Sequence, residues 1–430
     1  MSRMRRLAAR GKRSRKSKRL GEPEVVSREE YAGMELDSRL ELIRSLVPVG
    51  LMAVYQELAR EVVSLAGVRH SRKSGGPKHY RHGTNPGTVR FLGQRVPIEV
   101  PRVRGPEGEV RLESYDNLHR GGGLDELLFR RVLYGISSRN YERAAEQIPG
   151  AIGLSSSTVS REFVEASAAK LREFQERDLT DLDLVVLFLD GKTFADDEMV
   201  IALGVMLSGE KQILGFVQTE TENERVVAQF VRSLLDRGLD TSSGLLVVID
   251  GSKGLRSAIR KVLRRRAVVQ RCQWHKRENV VSHLPRKEQS SWRGRLQRAY
   301  GRPTYEEAKR ELLKIRDELA EINESAVRSL DEGFEETLTL HRLGLFAKIG
   351  RSLKTTNILE SVNAQAEERC GRVDHWQNSK QKQRWLAAAL LDIEPRLRRL
   401  VGYRHLPTLR GAIMKDLKLA GEVERSKRAA

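Results

Sequence analysis

The chain has 430 residues, with 78 Lys and Arg against 58 Asp and Glu and a formal charge of +20. At about 100 to 200 residues per domain, that length predicts two to four domains with ample core and excludes a disulfide-stapled miniature. The surplus of positive charge points to a polyanionic partner, nucleic acid ahead of an anionic membrane surface. Apolar residues make up 39%, yet the longest runs, such as Leu184 to Leu189, fall far short of the roughly 18 needed to cross a bilayer. Two cysteines, Cys272 and Cys370, and an amino terminus without the apolar stretch of a secretory signal predict a soluble cytoplasmic protein without structural disulfides or a membrane partner.

The first twenty residues carry ten Lys or Arg and no acid. Such a block cannot bury a core and reads as a disordered arm suited to clamping a DNA backbone. From Leu36 to Leu65, residues Leu40, Ile43, Leu46, Val47, Leu51, Val54 and Leu58 recur at steps of three and four, a helical period broken near Pro48 and so a helical pair. A stretch rich in Gly and basic residues, Arg69 to Pro86, leads to Thr88 to Val103. There Val89, Phe91, Val96, Ile98 and Val100 partly alternate around Leu92-Gly93-Gln94, which predicts a β-hairpin. His70, His79 and His82 lie close together, but no cysteine accompanies them, and a structural zinc normally takes four ligands.

Residues 124–176 read as helical with an interruption at Pro149-Gly150. The segment Ser138 to Ile148 followed by Ser155-Ser156-Ser157-Thr158-Val159-Ser160-Arg161 resembles a helix-turn-helix, with serines at the start of the second helix. Ser156, Ser157 and Arg161 are the candidate DNA contacts. Two packed helices in an all-α domain fit the same pattern; the overall charge favours DNA.

Beyond residue 182 the pattern turns β-rich. The apolar run Leu184 to Leu189 ends in Asp190-Gly191, and strands over Met199 to Leu207 and Gln212 to Thr219 follow across a tight polar turn. Thr221 to Arg237 is an amphipathic helix and Leu245 to Ile249 a second buried strand, ending in Asp250-Gly251. A helical crossover returns that strand parallel to the first. Two aspartates then stand at the carboxyl ends of buried strands, where open α/β sheets place their ligands. Two carboxylates so close repel unless a cation lies between them, and a divalent metal is the natural occupant. Asp196, Asp197 and Glu198 read as a solvated hairpin tip. A helix (Ser252 to Arg265), a short strand (Val268 to Gln270), a helix from about Trp274 and a long helical segment, Ser290 to Leu340, complete the approach to Thr355-Thr356-Asn357. That triplet supplies a helix N-cap, with Glu360, Asn363 and Glu367 on one face.

Four stretches in order carry a family resemblance: Phe188-Leu189-Asp190-Gly191, Val247-Val248-Ile249-Asp250-Gly251, Val269 to Lys276, and Thr355 to Asn363. Over roughly residues 80–405 the chain resembles the mutator-type transposases of bacterial insertion sequences, relatives of the plant Mutator enzymes. The resemblance implies an α/β fold with an RNase H-like mixed sheet, an all-α insertion before the last catalytic acid, and an amino-terminal, mainly helical DNA-binding region with a small β-hairpin. It makes Asp190, Asp250 and Glu360 a DDE triad holding two Mg²⁺ (or Mn²⁺) ions. Cys272 and His275 become the C-x-x-H motif beside the site, Cys272 packed and His275 near a phosphate. Arg271, His275, Lys276 and Asn363 are the further DNA contacts expected around these motifs. Members commonly place Trp directly after that cysteine and a basic residue after the glutamate; here Gln273 and Ser361 stand there. A zinc site at Cys272 and His275 lacks a second spaced pair, since Cys370 is the one other cysteine.

The expected organisation is a basic arm over 1–22, a helical region with the hairpin over 23–123, and a helix-turn-helix-like region over 124–180. The first part of the catalytic core follows over 181–289, the helical insertion over 290–345, the final core helices over 346–405 and a basic tail over 406–430. The function expected is a DNA transposase that binds element ends, cleaves them and joins them to target DNA as a homodimer or higher oligomer associated with the nucleoid. Its rivals are an RNase H-like structure-specific nuclease, which cuts without joining, and a non-catalytic DNA-binding regulator, whose mark is a lost triad acid.

Overall fold

The computed structural model describes residues 36–69, 79–91, 94–120, 126–134, 155–219, 223–371, 373 and 375–419. The basic arm, His70, Ser138 to Ile148 and the last eleven residues lie outside the described residues. The chain divides into two compact units, residues 1–123 with 146–153, and residues 124–145 with 154–430.

In the first unit, helix α1 (Leu36–Ala66) is continuous across Pro48. The expected pair is one helix, because a proline removes a single backbone donor from a ladder of this length. Its Val54, Leu58, Val62 and Ala66 form a stripe at four-residue steps, buried against Val89, Val96, Ile98, Val100 and Val103. Those valines and the isoleucine come from β1 (Tyr80–Phe91) and β2 (Gln94–Gly105), antiparallel partners, with β3 (Gly108–Val110) added beside β2. The first strand begins eight residues before the expected hairpin. Pro86, Gly83 and Gly87 are poor strand residues, but β1 is an edge strand with a register shift between Arg81 and Thr84, where such residues are tolerated. Helix α2 (Glu113–Arg120) closes the unit.

The second unit is a mixed α/β structure. Its sheet contains β4 (Leu184–Phe194), β5 (Asp197–Met206), β6 (Lys211–Thr219), β7 (Leu245–Ile249) and β8 (Ala267–Arg271), in the order β6-β5-β4-β7-β8. The first three pair antiparallel; β7 and β8 add parallel on the other side of β4. Strand β4 is continuously apolar from Leu184 to Leu189 because both faces of that stretch are covered. Leu187 and Leu189 meet α5 (Glu224–Asp236) and α6 (Lys253–Leu263), the crossover helices. Val186 and Phe188 meet the opposite layer. That layer holds α13 (Phe346–Leu353), α14 (Asn357–Cys370), α15 (Ser379–Ile393) and α16 (Leu406–Asp416).

Between β8 and α13 the chain is helical: α7 (Gln273–Ser282), α8 (Arg286–Tyr300), α9 (Tyr305–Ala320), α10 (Glu324–Asp331), α11 (Phe334–Thr337) and α12 (Thr339–Arg342). Trp292, Leu296, Leu312, Leu319 and Leu330 form its separate core. Helices α3 (Glu126–Leu133) and α4 (Ser156–Glu176), from the region read as helix-turn-helix, pack onto α15 through Phe129, Phe163 and Trp385. They are part of this unit and do not form a separate body. The stretch read as a basic tail opens with α16, whose Leu406, Leu409 and Ile413 are fully buried.

Candidate active site

Parallel pairing of β4 with β7 runs from Val186 opposite Leu246 to Leu189 opposite Ile249. The next residues are Asp190 and Asp250, and neighbouring strands lie roughly 4.8 Å apart. Side chains alternate along a strand, so Asp190 follows Val186 and Phe188 onto the face covered by α14. Asp190 is 5% exposed and lies opposite Ile201 of β5. Asp250 is half-buried and accepts a hydrogen bond from the Ser252 amide at 2.9 Å. Gly251 has φ of +130°, where a side chain is strained, and this lets the chain leave the strand and enter α6 with Ser252 as its N-cap.

Glu360 lies in the first turn of α14 with its side chain 42% exposed. His275, from the first turn of α7, reaches toward it: Nε2 is 3.8 Å from Glu360 Oε1, and Nδ1 is 3.5 Å from the Thr356 hydroxyl. Thr356 occupies the N-cap position of α14, but its hydroxyl makes no cap bond; it is buried and faces His275 instead. The amide of Cys272 donates to the Ile249 carbonyl at 2.7 Å, and the Gln273 amide donates to the Lys354 carbonyl at 2.9 Å. The start of α7 is thereby stitched to the end of β7, one residue from Asp250, and to the loop before α14. On the same helix, Asn363 is buried and Glu367 pairs with Lys192 at 2.8 Å, two residues beyond Asp190.

Of the three acids expected at a hairpin tip, only Asp196 is there; Asp197 begins β5 and Glu198 follows it. Glu198 lies opposite Thr193 and is not part of the turn, which is formed by Ala195 and Asp196 with positive φ. Burial, opposed by a hydrogen bond from Thr193 and reinforced by the charge of Asp250, raises its carboxyl above the usual range. Its signal in the sequence is the alternation Glu198, Val200, Ala202 on one face of a strand that starts earlier than expected. Asp197 accepts hydrogen bonds from Gln218 and Lys382, both at 2.7 Å.

The remaining candidates separate by burial. Ser156, Ser157 and Arg161 are exposed on the opening turns of α4, beyond the Ser155 cap. Arg271, read as a DNA contact, is 2% exposed, pairs with Glu336 at 2.8 Å and donates to the Gly251 carbonyl at 3.0 Å. Gly333, at φ of +67°, passes so close to that guanidinium that a side chain there would collide with it. Lys276, read likewise, is 3% exposed and donates to the Ser329 carbonyl at 2.6 Å. Burial first, then neighbouring Arg271, lowers its ammonium to about 8. Arg271 therefore docks the helical insertion onto β8, and Lys276 ties α7 to α10, a correction to the DNA role expected for both; a basic run marks charge, and tertiary packing decides which charges face outward. Cys272 is buried, and burial pushes its thiol up; Cys370 is pushed up to about 12 by burial. Trp385 is packed between Phe163 and Trp376, and Trp376 lies 5.4 Å from Phe194.

Among the described residues, no three His, Cys, Asp or Glu side chains stand close enough together to hold a metal ion. Asp190 lies within β4, which continues to Phe194 and is not the strand end expected, while Asp250 follows the last residue of β7; as two carboxylates next to the paired Leu189 and Ile249, they have the donor chemistry of a hard divalent cation site. Glu360, on α14, faces His275.

An α/β sheet with one acid within β4 and one just after the parallel β7, in a chain of +20 charge, is of the class suited to phosphate-bearing polymers. Residues 24–398 match the family described as Transposase, Mutator family, and the chain belongs to that family. It is 28% identical over 313 residues to the transposase for insertion sequence element IS256 in transposon Tn4001 of Staphylococcus aureus, covering 69% of this chain and 76% of that one. To the transposase for ISRM5 of Rhizobium meliloti it is 27% identical over 337 residues, 75% and 82% of the two chains. To that for IS406 of Burkholderia multivorans it is 28% identical over 350 residues, 76% and 85%. Among the described residues, no helix is long and apolar enough to cross a membrane.

Proposed function

We propose that the protein is the transposase of an insertion sequence, acting on duplex DNA through Asp190, Asp250 and Glu360 on an RNase H-like fold. The observation that carries this reading is the parallel pairing of Leu189 with Ile249, the residues just before Asp190 and Asp250, with α14, the helix bearing Glu360, packed on the face that holds Val186 and Phe188. The sheet order, three antiparallel strands followed by two parallel ones joined through helices, supports the fold assignment. Asp190 and Asp250 would hold two Mg²⁺ or Mn²⁺ ions, with Glu360 completing the set. Bound there, such ions polarise a phosphodiester and stabilise the attacking and leaving oxygens of an in-line displacement.

The chain's own groups set the geometry. Arg271 fixes the Gly251 carbonyl and hence the loop that carries Asp250. His275 lies between the Thr356 hydroxyl and Glu360 at the opening turn of α14, where it would orient the Glu360 carboxylate. The acids act as ligands, so neither serine nor tyrosine is required as a nucleophile. Water or a DNA 3′-hydroxyl can use the same site, which allows cleavage and joining in sequence.

The test is purified full-length protein with duplex DNA carrying the element's ends, target plasmid and Mg²⁺, with cut and joined products resolved. Both products should form and both should vanish with EDTA. Cutting without joining would make the protein a nuclease, and unaltered activity in EDTA would overturn the metal-dependent reading. The exposed Ser156, Ser157 and Arg161 supply sequence preference in this reading. Their triple alanine variant is expected to reduce the preference for end DNA over random DNA about tenfold, since a good base contact contributes about 1 to 3 kcal/mol. Competition binding checks this; an unchanged preference assigns the helix start to packing alone.

A further inference from the structure

The basic stretch from Arg256 to Arg277 divides sharply once its partners are known. Arg256 and Arg271 pair with Glu336, Lys261 with Glu224, Arg277 with Glu278, and Lys276 is buried on a carbonyl. Arg264, Arg265 and Arg266, a 3₁₀ turn between α6 and β8, are all exposed, and none of their side chains has an ionic or hydrogen-bonding partner among the described residues. They stand at the amino-terminal end of β8, the opposite end of the sheet from Asp250.

A second segment brings more charge to the same place. Asp416 and Leu417, at the end of α16, line one groove together with Arg264 and Ala267. Their neighbours Lys415 and Lys418 are exposed, and among the described residues their side chains likewise have no partner. The acids lining that groove are already engaged: Glu335 by Lys309, Glu336 by Arg256 and Arg271, Asp416 by Arg342. The backbone also departs from its ordinary range here. Arg264 (φ +49°) and Lys418 (φ +58°) are two of the four non-glycine residues with positive φ among those described; the other two form the β4–β5 turn.

We infer that Arg264, Arg265, Arg266, Lys415 and Lys418 form a second duplex-DNA surface, which grips the phosphate backbone at the end of the sheet remote from the acids. The inference rests on the reading of the chain as a DNA-acting protein. Five residues of β7 separate the two ends of the sheet, about 13 Å at 3.3 Å per residue. The phosphates met there therefore lie at least about four base pairs from the one cleaved, at 3.4 Å per step. Contacts of this kind position a duplex without reading its sequence.

The test measures binding of the full-length protein to a fluorescein-labelled 40-base-pair duplex of random sequence by anisotropy, from low to moderate salt. Each phosphate contact contributes about −0.9 to the slope of log K against log salt, so Arg264→Ala/Arg265→Ala/Arg266→Ala should flatten it by about 2 to 3. A charge-matched control, Arg286→Ala/Lys287→Ala/Arg298→Ala on α8, should flatten it by less than about 1. A second variant, Arg265→Gln/Lys415→Gln, leaves both left-handed residues in place and should flatten it by about 2. Slopes for the patch variants equal to the control overturn the surface and leave the DNA reading standing. A wild-type protein with no salt-dependent duplex binding overturns that reading itself. A change in sedimentation with an unchanged slope assigns the patch to contact between copies and also overturns the inference.

Discussion

Asp190→Asn, Asp250→Asn and Glu360→Gln are each expected to slow strand cleavage at least about a thousandfold while binding of end DNA persists. Losing a metal ligand forfeits several kcal/mol of transition-state charge stabilisation, and about 4 kcal/mol corresponds to three decades in rate. Binding survives because the exposed cations are untouched. Glu367→Gln is the matched comparison. It lies two turns along the same helix, paired at the surface with Lys192, and such pairs contribute roughly 0 to 1 kcal/mol. Cleavage by that variant should stay within about fivefold of wild type. Single-turnover cleavage of labelled end DNA distinguishes the two classes; near-normal cleavage by a triad variant removes that residue from the site.

The largest effect on stability is expected at Asp392. Its carboxylate receives Arg369 at 2.9 Å and the Tyr134 hydroxyl at 2.7 Å, and the Arg369 and Asp392 side chains are each only 6% exposed. Arg369 is on α14 and Tyr134 follows α3, so one carboxylate joins the helix bearing Glu360 to the helix pair packed on α15. Asp392→Ala leaves Arg369 buried without its counter-ion, which costs about 3 to 5 kcal/mol. Arg369→Met/Asp392→Leu, which removes both charges, should recover most of that loss. Burial tends to raise the Asp392 carboxyl, but the Tyr134 hydroxyl together with Arg369 and Arg396 outweighs it, and the net position is below the usual carboxylate range. A carboxyl lowered in the folded state contributes stability that is complete above its unfolded value, about 3.9, and is lost as pH falls through the folded value. Guanidinium denaturation at pH 7, 5 and 4 should therefore show a full gap between wild type and Asp392→Ala at pH 7 and 5, starting to narrow near pH 4. A gap that widens on acidification would contradict a lowered Asp392 carboxyl.

The sheet was legible because burial on both faces leaves a signature along a strand. Leu184 to Leu189 and Leu245 to Ile249 are unbroken apolar runs, each closed by Asp-Gly, and both are buried strands paired in parallel. The crossover helices were readable for the complementary reason, an apolar stripe on one face. What failed was the inference from residue type to exposure. Arg271 and Lys276 look like surface charges, and only the acids and carbonyls of the helical insertion, more than fifty residues away, explain their burial. Pro48 and Pro86 look like breaks, yet one lies within a helix of 31 residues and the other on an edge strand, contexts that local sequence does not reveal. The link between His275 and Glu360 spans 85 positions and comes from the pairing of Cys272 with Ile249, which no spacing rule contains.

With Asp190, Asp250 and Glu360 as the proposed ligands, the DNA 3′-hydroxyl is the nucleophile in joining. A phosphorothioate of known configuration, placed at the target phosphate that becomes joined, reports on this directly. One in-line displacement should invert the phosphorus in the joined product. Retention of configuration would require two displacements through a covalent protein–DNA intermediate, and would contradict the assignment of these three acids as the whole of the reacting machinery.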